Sequence, residues 1–521
     1  MLRLTGIRLG SDEVKALGKR LGTNLERIEH VSKRLLTFTS RAELLAESEC
    51  RCRRQQPRRS TTGREPKVRV ESEVRNALLT SLIVSGLAVI CGSPTVSAQE
   101  LKAGAGAEVL TADDTMVIGG GIGPGKAHGQ EGELRASAVV IEDAHKTKVA
   151  LVACDVLMVE RDVLDRAARR IEQATGIPFD HILINATHTH HAPTTATIHG
   201  YSREEGFTRQ LEDKIVEAAV KAARRLVPAT ASFRLGEESS VGKNSRILLA
   251  DGTIYWTGSA EDAVRPTGPF DPDLPVLAFK RADGNLEAVL FNHSTHTIGT
   301  LSSGVRSPSF YGLAAQALEK ERGGTVLFFE GASGSTHNIG VPAAEATRRI
   351  REAVDRALDL ARPLAVDRVR GVRKEVALKI RRFDEAADEK AVTAYCSKRI
   401  KDPAAAQKTI GIFRDMRRQI APKQGQERKT WVQAIVIGDV AFVGVPGEFF
   451  TVLGQEIKRR SPFRYTYVFE LANDYVGYIP DENGFDRGGY QVWTGLHSFL
   501  ERGSGEAIVA AAVALLDGLH Q

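Results

Sequence analysis

The chain is poor in cysteine: it has 5 in 521 residues, and only Cys154 and Cys396 follow residue 99. That excludes a fold stapled by a dense disulfide framework. The body of the protein must hold itself together by packing, which a chain of this length can do. A single bridge between Cys154 and Cys396 stays open as an expectation. Repeats and low-complexity tracts are also absent after residue 99. So is a surplus of one charge. The formal net charge of +6 comes from residues 1–75, which carry 18 basic and 10 acidic side chains. Residues 76–98 carry none, and the remainder holds 53 basic and 55 acidic groups. A near-neutral body gives no electrostatic ground for a nucleic-acid partner.

A hydrophobic run long enough for a bilayer is missing too. The run ALLTSLIVSGLAVIC at 77–91 falls short of the roughly 20 residues that a spanning helix needs. Lys67, Arg69 and Arg75 precede it, and Gly-Ser-Pro-Thr-Val-Ser-Ala follows. That is the layout of a signal peptide over 76–98, cleaved near Ala98, and it predicts export to the periplasm or the medium. Ile90 is bulky where a lipoprotein needs a small residue before Cys91. Residues 1–75, with Cys50 and Cys52, are long for a leading region. The expectation is a true start within 68–74, so that 1–75 is a non-native or disordered extension and 99–521 is the working domain.

Along that domain, strand and helix patterns alternate. Apolar, β-branched stretches at 137–142, 148–155, 181–185, 287–292, 324–330 and 465–470 read as strands. Stretches at 161–174, 203–226, 311–320, 343–360 and 505–519 have helical spacing. Segments 431–437 and 440–445 read as a hairpin turned at Gly438-Asp439. A polar helical region over 384–418 reads as an inserted cap or a second subdomain. The alternation predicts an α/β fold with a mixed sheet flanked by helices, and the insertions argue against a simple barrel.

The densest chemical signal is Asn185-Ala-Thr-His-Thr-His-His-Ala-Pro-Thr194, just past a strand. In extended chain, residues two apart share a face, so His188 and His190 are expected together, with His191 turned away. Two imidazoles at a strand end suit a metal ligand beside a catalytic acid or base. A second pair, His293 and His296, also ends an apolar strand. An unpaired ring nitrogen in a core costs stability, so packing alone explains such histidines poorly. In Val443-Gly-Val-Pro-Gly-Glu-Phe-Phe450, Glu448 is expected to open a helix, where a carboxylate is favoured. The segment Leu471-Ala-Asn-Asp-Tyr-Val-Gly-Tyr-Ile-Pro480 carries Tyr478, and Tyr490 lies twelve residues on.

Together these four segments resemble the neutral (alkaline, non-lysosomal) ceramidases over residues 105–495. Residues 187–190 reproduce the family's T-H-T-H block, and Val445-Pro-Gly-Glu448 is similar to its V-P-x-E block. The resemblance implies a ceramidase-like catalytic domain without the family's C-terminal immunoglobulin-like domain. It implies Zn2+ held by His188, His296, Glu448 and Tyr478, with His190 assisting catalysis. Tyr490, with Arg246 from Lys243-Asn-Ser-Arg246, would stabilise the oxyanion. The substrate implied is an acylated amine or lipid, with peripheral membrane contact through it.

One block departs from the pattern. Where the family has G-D-x-S-P-N, with Ser the proposed nucleophile, this chain has Gly331-Ala-Ser-Gly-Ser-Thr-His-Asn338. Ser335 falls at the family's Asp position and His337 at its Ser. Two routes stay open. Ser335 serves after a local shift, or His337 works near the metal while water attacks. Three functions follow: a zinc amidohydrolase cleaving an N-acyl bond, a zinc esterase or other hydrolase, or a non-catalytic zinc-binding relative.

Overall fold

A computed structural model describes residues 101–521. The segments 1–75 and 76–98, with Cys50, Cys52, Cys91 and the cleavage position, lie outside the described residues.

Nine strands make one sheet. Its spatial order is Thr325–Glu330, Leu286–His293, Asp273–Arg281, Val227–Glu237, Lys102–Val109, Arg135–Glu142, Lys148–Cys154 and Ile182–Ala186. Arg362–Leu364 pairs with Val227–Glu237 off this path. Only the two edge pairs are parallel. A second sheet orders Val369–Lys379, Glu427–Ile437, Val440–Gly444 and Tyr465–Phe469, with the last pair parallel. The hairpin at Gly438-Asp439 forms as expected.

Each element follows from its residues. Arg135–Glu142 is buried at every position, as a strand covered on both faces must be. Its Ala136, Ala138 and Val140 pack under the helices Arg161–Thr175 and Glu205–Arg224. Val139 and Ile141 meet Ile435, Ile437, Val440 and Phe442 of the second sheet. Helix Arg161–Thr175 buries a stripe of Val163, Leu164, Ala167, Ala168 and Ile171. It stops at Gly176, whose φ of 71° suits glycine and whose N–H caps Glu172 O. Helices Ser309–Arg322 and Ala343–Asp359 cover the other end of the large sheet. Helix Ser504–His520 packs on the outer face of the second sheet. The layers run helix, sheet, sheet, helix, so the mixed α/β expectation holds. Among the described residues no helix is long and apolar enough to cross a membrane.

Three expectations change. Residues 384–418 form a helical pair, Glu385–Arg399 and Pro403–Ile420, each capped by an aspartate side chain. Its Val392, Tyr395, Cys396, Ile410, Phe413 and Met416 belong to the main core, so it is no separate subdomain. Cys154 and Cys396 are both free and buried. Glu448 does not open a helix. Glu448–Phe449 is a short strand parallel to Tyr478–Ile479, and the helix begins at Thr451, after Phe450 in extended conformation.

The strands Ile182–Ala186, Leu286–His293, Thr325–Glu330, Val440–Gly444 and Tyr465–Phe469 all lead into one region. There the sheets are stitched together. Glu470 N donates to Glu330 O at 3.0 Å. Asn185 Oδ1 accepts from Glu330 N at 3.2 Å, and its amide donates to Glu470 O.

Candidate metal centre

His188 follows the strand Ile182–Ala186 with φ 62°, in the left-handed region that non-glycine residues seldom enter. Such a conformation costs about 1–2 kcal/mol and is typical of functional sites. It changes why His188 and His190 share a site. Strand alternation cannot apply across a left-handed residue; the turn itself folds the two imidazoles together, with Nε2 atoms 3.3 Å apart. His296 enters from the loop after Leu286–His293. Its Nε2 lies 3.2 Å from Glu448 Oε2 and 3.1 Å from Tyr478 Oη. His188 Nε2 lies 3.6 Å from the same Glu448 oxygen.

The outer ring nitrogens settle what these contacts are. His188 Nδ1 faces Leu157 O at 2.9 Å, His296 Nδ1 faces Ser333 O at 2.9 Å, and His190 Nδ1 faces Gly120 O at 3.2 Å. A carbonyl only accepts, so each Nδ1 carries a proton and each Nε2 faces inward, where a neutral ring presents a lone pair. With neutral rings, lone pair meets lone pair between His188 and His190, and lone pair meets carboxylate between His296 and Glu448. That arrangement is repulsive unless a cation lies among the atoms. His188, His190 and His296 form a buried group able to hold a metal ion. A tetrahedral site with bonds of about 2.0–2.1 Å has donor–donor edges of about 3.3 Å. The observed spacings among His188, His296, Glu448 and Tyr478, 3.1, 3.2 and 3.6 Å, fit that size. Main-chain carbonyls on the outer nitrogens are the usual support of metal-binding histidines.

The electrostatics agree. Burial, helped by His296, pushes His188 down to about 4. Burial and the neighbouring imidazoles push His190 and His337 well below the ordinary histidine range. All three rings are neutral near pH 7, the form in which an imidazole nitrogen can bind a metal or take up a proton. Burial alone would raise Glu448, but positive charge at His296 and His188, with the Tyr478 hydroxyl, would outweigh it and hold it at about 2, so this carboxylate is stabilised by a cation beside it. Burial and the Glu448 charge push Tyr478 well above 10.

The group opens into a cavity of about 270 Å³ lined by His190, His296, His337, Tyr478, Tyr490 and Trp256, among others. His337 stacks on His296, with centroids 4.2 Å apart. Tyr490 stacks on Trp256 at 4.7 Å. Thus His188, His190, His296, His337, Glu448, Tyr478 and Tyr490 are brought together.

Two candidates are not. Ser335 Oγ is bound in the wall: it donates to Thr451 Oγ1 and accepts from Thr451 N, both at 3.1 Å. It lines a separate, smaller cavity, and so does Arg246. The Arg246 guanidinium donates to Gln491 Oε1 and to the carbonyls of Gly484 and Gly488, at 2.7–3.1 Å. It fixes the segment that carries Tyr490 instead of facing the cavity. His191 is turned away as expected, its Nε2 accepting from Gly299 N. His293 is a core residue, held by Tyr311 and Glu238 O.

Sequence reasoning missed several residues. Tyr475 donates to Glu448 Oε1 at 3.1 Å; its place three residues before Tyr478 was the available signal. Glu470 accepts from Ser333 N and from Phe449 N, both at 2.8 Å, tying the carbonyl that supports His296 to the strand of Glu448. Gly334 admits that strand: a Cβ there would sit 2.3 Å from Glu448 O. Nothing in the sequence marks either.

No protein-family model matches the chain, and no curated protein sequence does. Solved structures do. The chain is similar to the crystal structure of neutral ceramidase from Pseudomonas aeruginosa, at 18% identity and TM-score 0.61, over 80% of this chain and 75% of that one. It is similar also to a ceramidase complexed with C2, at 17% identity and TM-score 0.62, over 81% and 75%. The mixed α/β fold of this chain is the fold of those ceramidases.

Proposed function

We propose that the protein is an exported zinc hydrolase that cleaves an N-acyl, ceramide-like amide bond. The observation that carries this reading is the convergence of four possible ligands, His188, His296, Glu448 and Tyr478, beside His190. Export rests on the 76–98 pattern, and the amide on the likeness in fold to ceramidases. Zinc, when bound, supplies a Lewis acid that polarises the acyl carbonyl and lowers the pKa of water to about 7.

The chain's own groups do the rest. His188, His296, Glu448 and Tyr478 are the ligand set. His190, locked by Gly120 O, presents Nε2 to take the proton of the attacking water. The Tyr490 hydroxyl, held by its stack on Trp256, donates to the oxygen where charge develops. His337 packs over His296 and closes one wall. With Ser335 Oγ engaged by Thr451, water is the nucleophile.

A zinc esterase would use the same groups. The cavity of about 270 Å³ favours it, being matched to a small acyl group more than to a whole lipid. The test is metal analysis of the purified protein with turnover of a fluorogenic short-chain ceramide and of matched short-chain esters. One zinc per chain and chelator-sensitive amide cleavage are expected. Ester turnover alone moves the assignment to the esterase. Zinc without any turnover leaves a binding protein, and absence of metal overturns the reading.

A further inference from the structure

His199 lies beyond the histidine-rich turn and outside the ligand set, yet it reaches the cavity's tyrosine. It is buried, with φ 51°, and its Nε2 is 3.1 Å from Tyr490 Oη. Its Nδ1 is buried without a partner. His497 reaches the same tyrosine from another side: its Nε2 lies 3.1 Å from the Tyr490 carbonyl, and its Nδ1 too has no partner.

These contacts assign the protons. A carbonyl cannot donate, so His497 carries its proton on Nε2. For His199, a proton on Nδ1 would leave a buried N–H with nothing to receive it, the rarer and costlier defect. The proton belongs on Nε2, which donates to the Tyr490 oxygen. The phenol oxygen is thereby occupied as an acceptor, and its own O–H is left to donate elsewhere. The ring cannot swing away. Trp256 stacks on it at 4.7 Å and 7°, and His497 stacks at 5.0 Å and 21°.

We infer that His199 is a positioning residue: by donating Nε2–H to Tyr490 Oη it fixes that phenol as a hydrogen-bond donor into the metal cavity. This rests on the hydrolase reading above, in which Tyr490 meets the developing oxyanion. A donor already aimed and already supported at its oxygen needs no rearrangement as charge develops, the condition under which such groups contribute most. The left-handed backbone at His199 is consistent with a residue held for its side chain.

The experiment has a kinetic arm and a spectroscopic arm, both on the full chain. His199→Asn suits the left-handed backbone but is too short to reach Tyr490. His199→Gln returns an amide N–H at about the lost reach. His199→Asn is expected to lower kcat on the order of tenfold to a hundredfold, with KM and zinc content unchanged. His199→Gln should recover most of it. In a Tyr490→Phe background His199→Asn should have no further effect, because the residue acts only through that hydroxyl. Undiminished kcat in His199→Asn overturns the inference, and so does an equal loss in the Tyr490→Phe background or no recovery with Gln. In the second arm, long-range 1H–15N spectra of histidine-labelled protein report the tautomer, with His199→Asn assigning the signal. Protonation at Nε2 supports the inference, and protonation at Nδ1 overturns it. If the wild type cleaves neither amide nor ester, the hydrolase reading fails on its own account. The tautomer then decides the contact to Tyr490 separately.

Discussion

Ser335→Ala separates two kinds of hydrolase and has a magnitude that follows from its contacts. Ser335 Oγ accepts from Thr451 N and donates to Thr451 Oγ1, both at 3.1 Å and both buried. Removing Oγ leaves the Thr451 N–H without a partner, which costs about 1–3 kcal/mol. The loss of a hydroxyl from the cavity wall adds little to that. The catalytic expectation is the opposite: Oγ does not line the histidine cavity, so kcat should stay within about twofold of wild type. His190→Ala should show the mirror image. It removes a proton acceptor, for which general-base catalysis is typically worth about 10²–10⁴-fold, or roughly 3–5 kcal/mol of barrier at 1.36 kcal/mol per decade. Urea denaturation gives the stability difference, and initial rates on a short-chain amide give kcat. A fall of a hundredfold or more in Ser335→Ala, with zinc retained, would refute the reasoning and restore the serine route.

Gly334→Ala should lower both stability and zinc affinity, since its Cβ would fall 2.3 Å from Glu448 O and the ligand's own backbone must give way; a loss of about 1–3 kcal/mol is expected for such overpacking, and an unchanged melting temperature with unchanged zinc Kd would contradict it. Chelation of the loaded protein should lower the melting temperature, by the equivalent of about 2.7 kcal/mol if zinc stood at a hundred times its Kd, and zinc should restore it; identical melting with and without chelator refutes the site. Acid should destabilise the protein well before carboxylates protonate. Burial holds His199 at about 4 and His497 at about 3 in the folded chain, while the unfolded chain takes up protons near 6.5. Their contribution is therefore fully present above pH 6.5 and is lost as pH falls toward 4, at about 1.4 kcal/mol per residue per pH unit. A melting temperature that stays flat from pH 6.5 to 4.5 would rule this out.

What could be read in the sequence depended on how each residue earns its place. Strands such as Lys148–Cys154 declare themselves by β-branched apolar runs. Lys102–Val109, K-A-G-A-G-A-E-V, does not, because its small residues serve the helix above it: a Cβ on Gly104 would lie 2.3 Å from Ala222 O. The strand Val369–Lys379 is polar along one side and looks like surface. Among site residues, the histidines and Glu448 stand in recognisable blocks, and their convergence was legible from resemblance. The helix expected at Glu448 was not, since a two-residue pairing with Tyr478–Ile479 depends on chain thirty residues away. His199, Glu470 and Tyr475 act through side-chain contacts between distant segments, and no local pattern announces such contacts.

The seam where the two sheets meet has a consequence for how the protein matures. The first sheet brings His188 and His296 to the centre, and segments continuing from the second bring Glu448 and Tyr478. The first half alone offers the histidines, but the proposed four-ligand set of His188, His296, Glu448 and Tyr478 would be complete only when the two halves are properly docked. A chain that misassembles at this border would lack the carboxylate and the phenol, so tight metal affinity, more than occupancy alone, would report the docking itself.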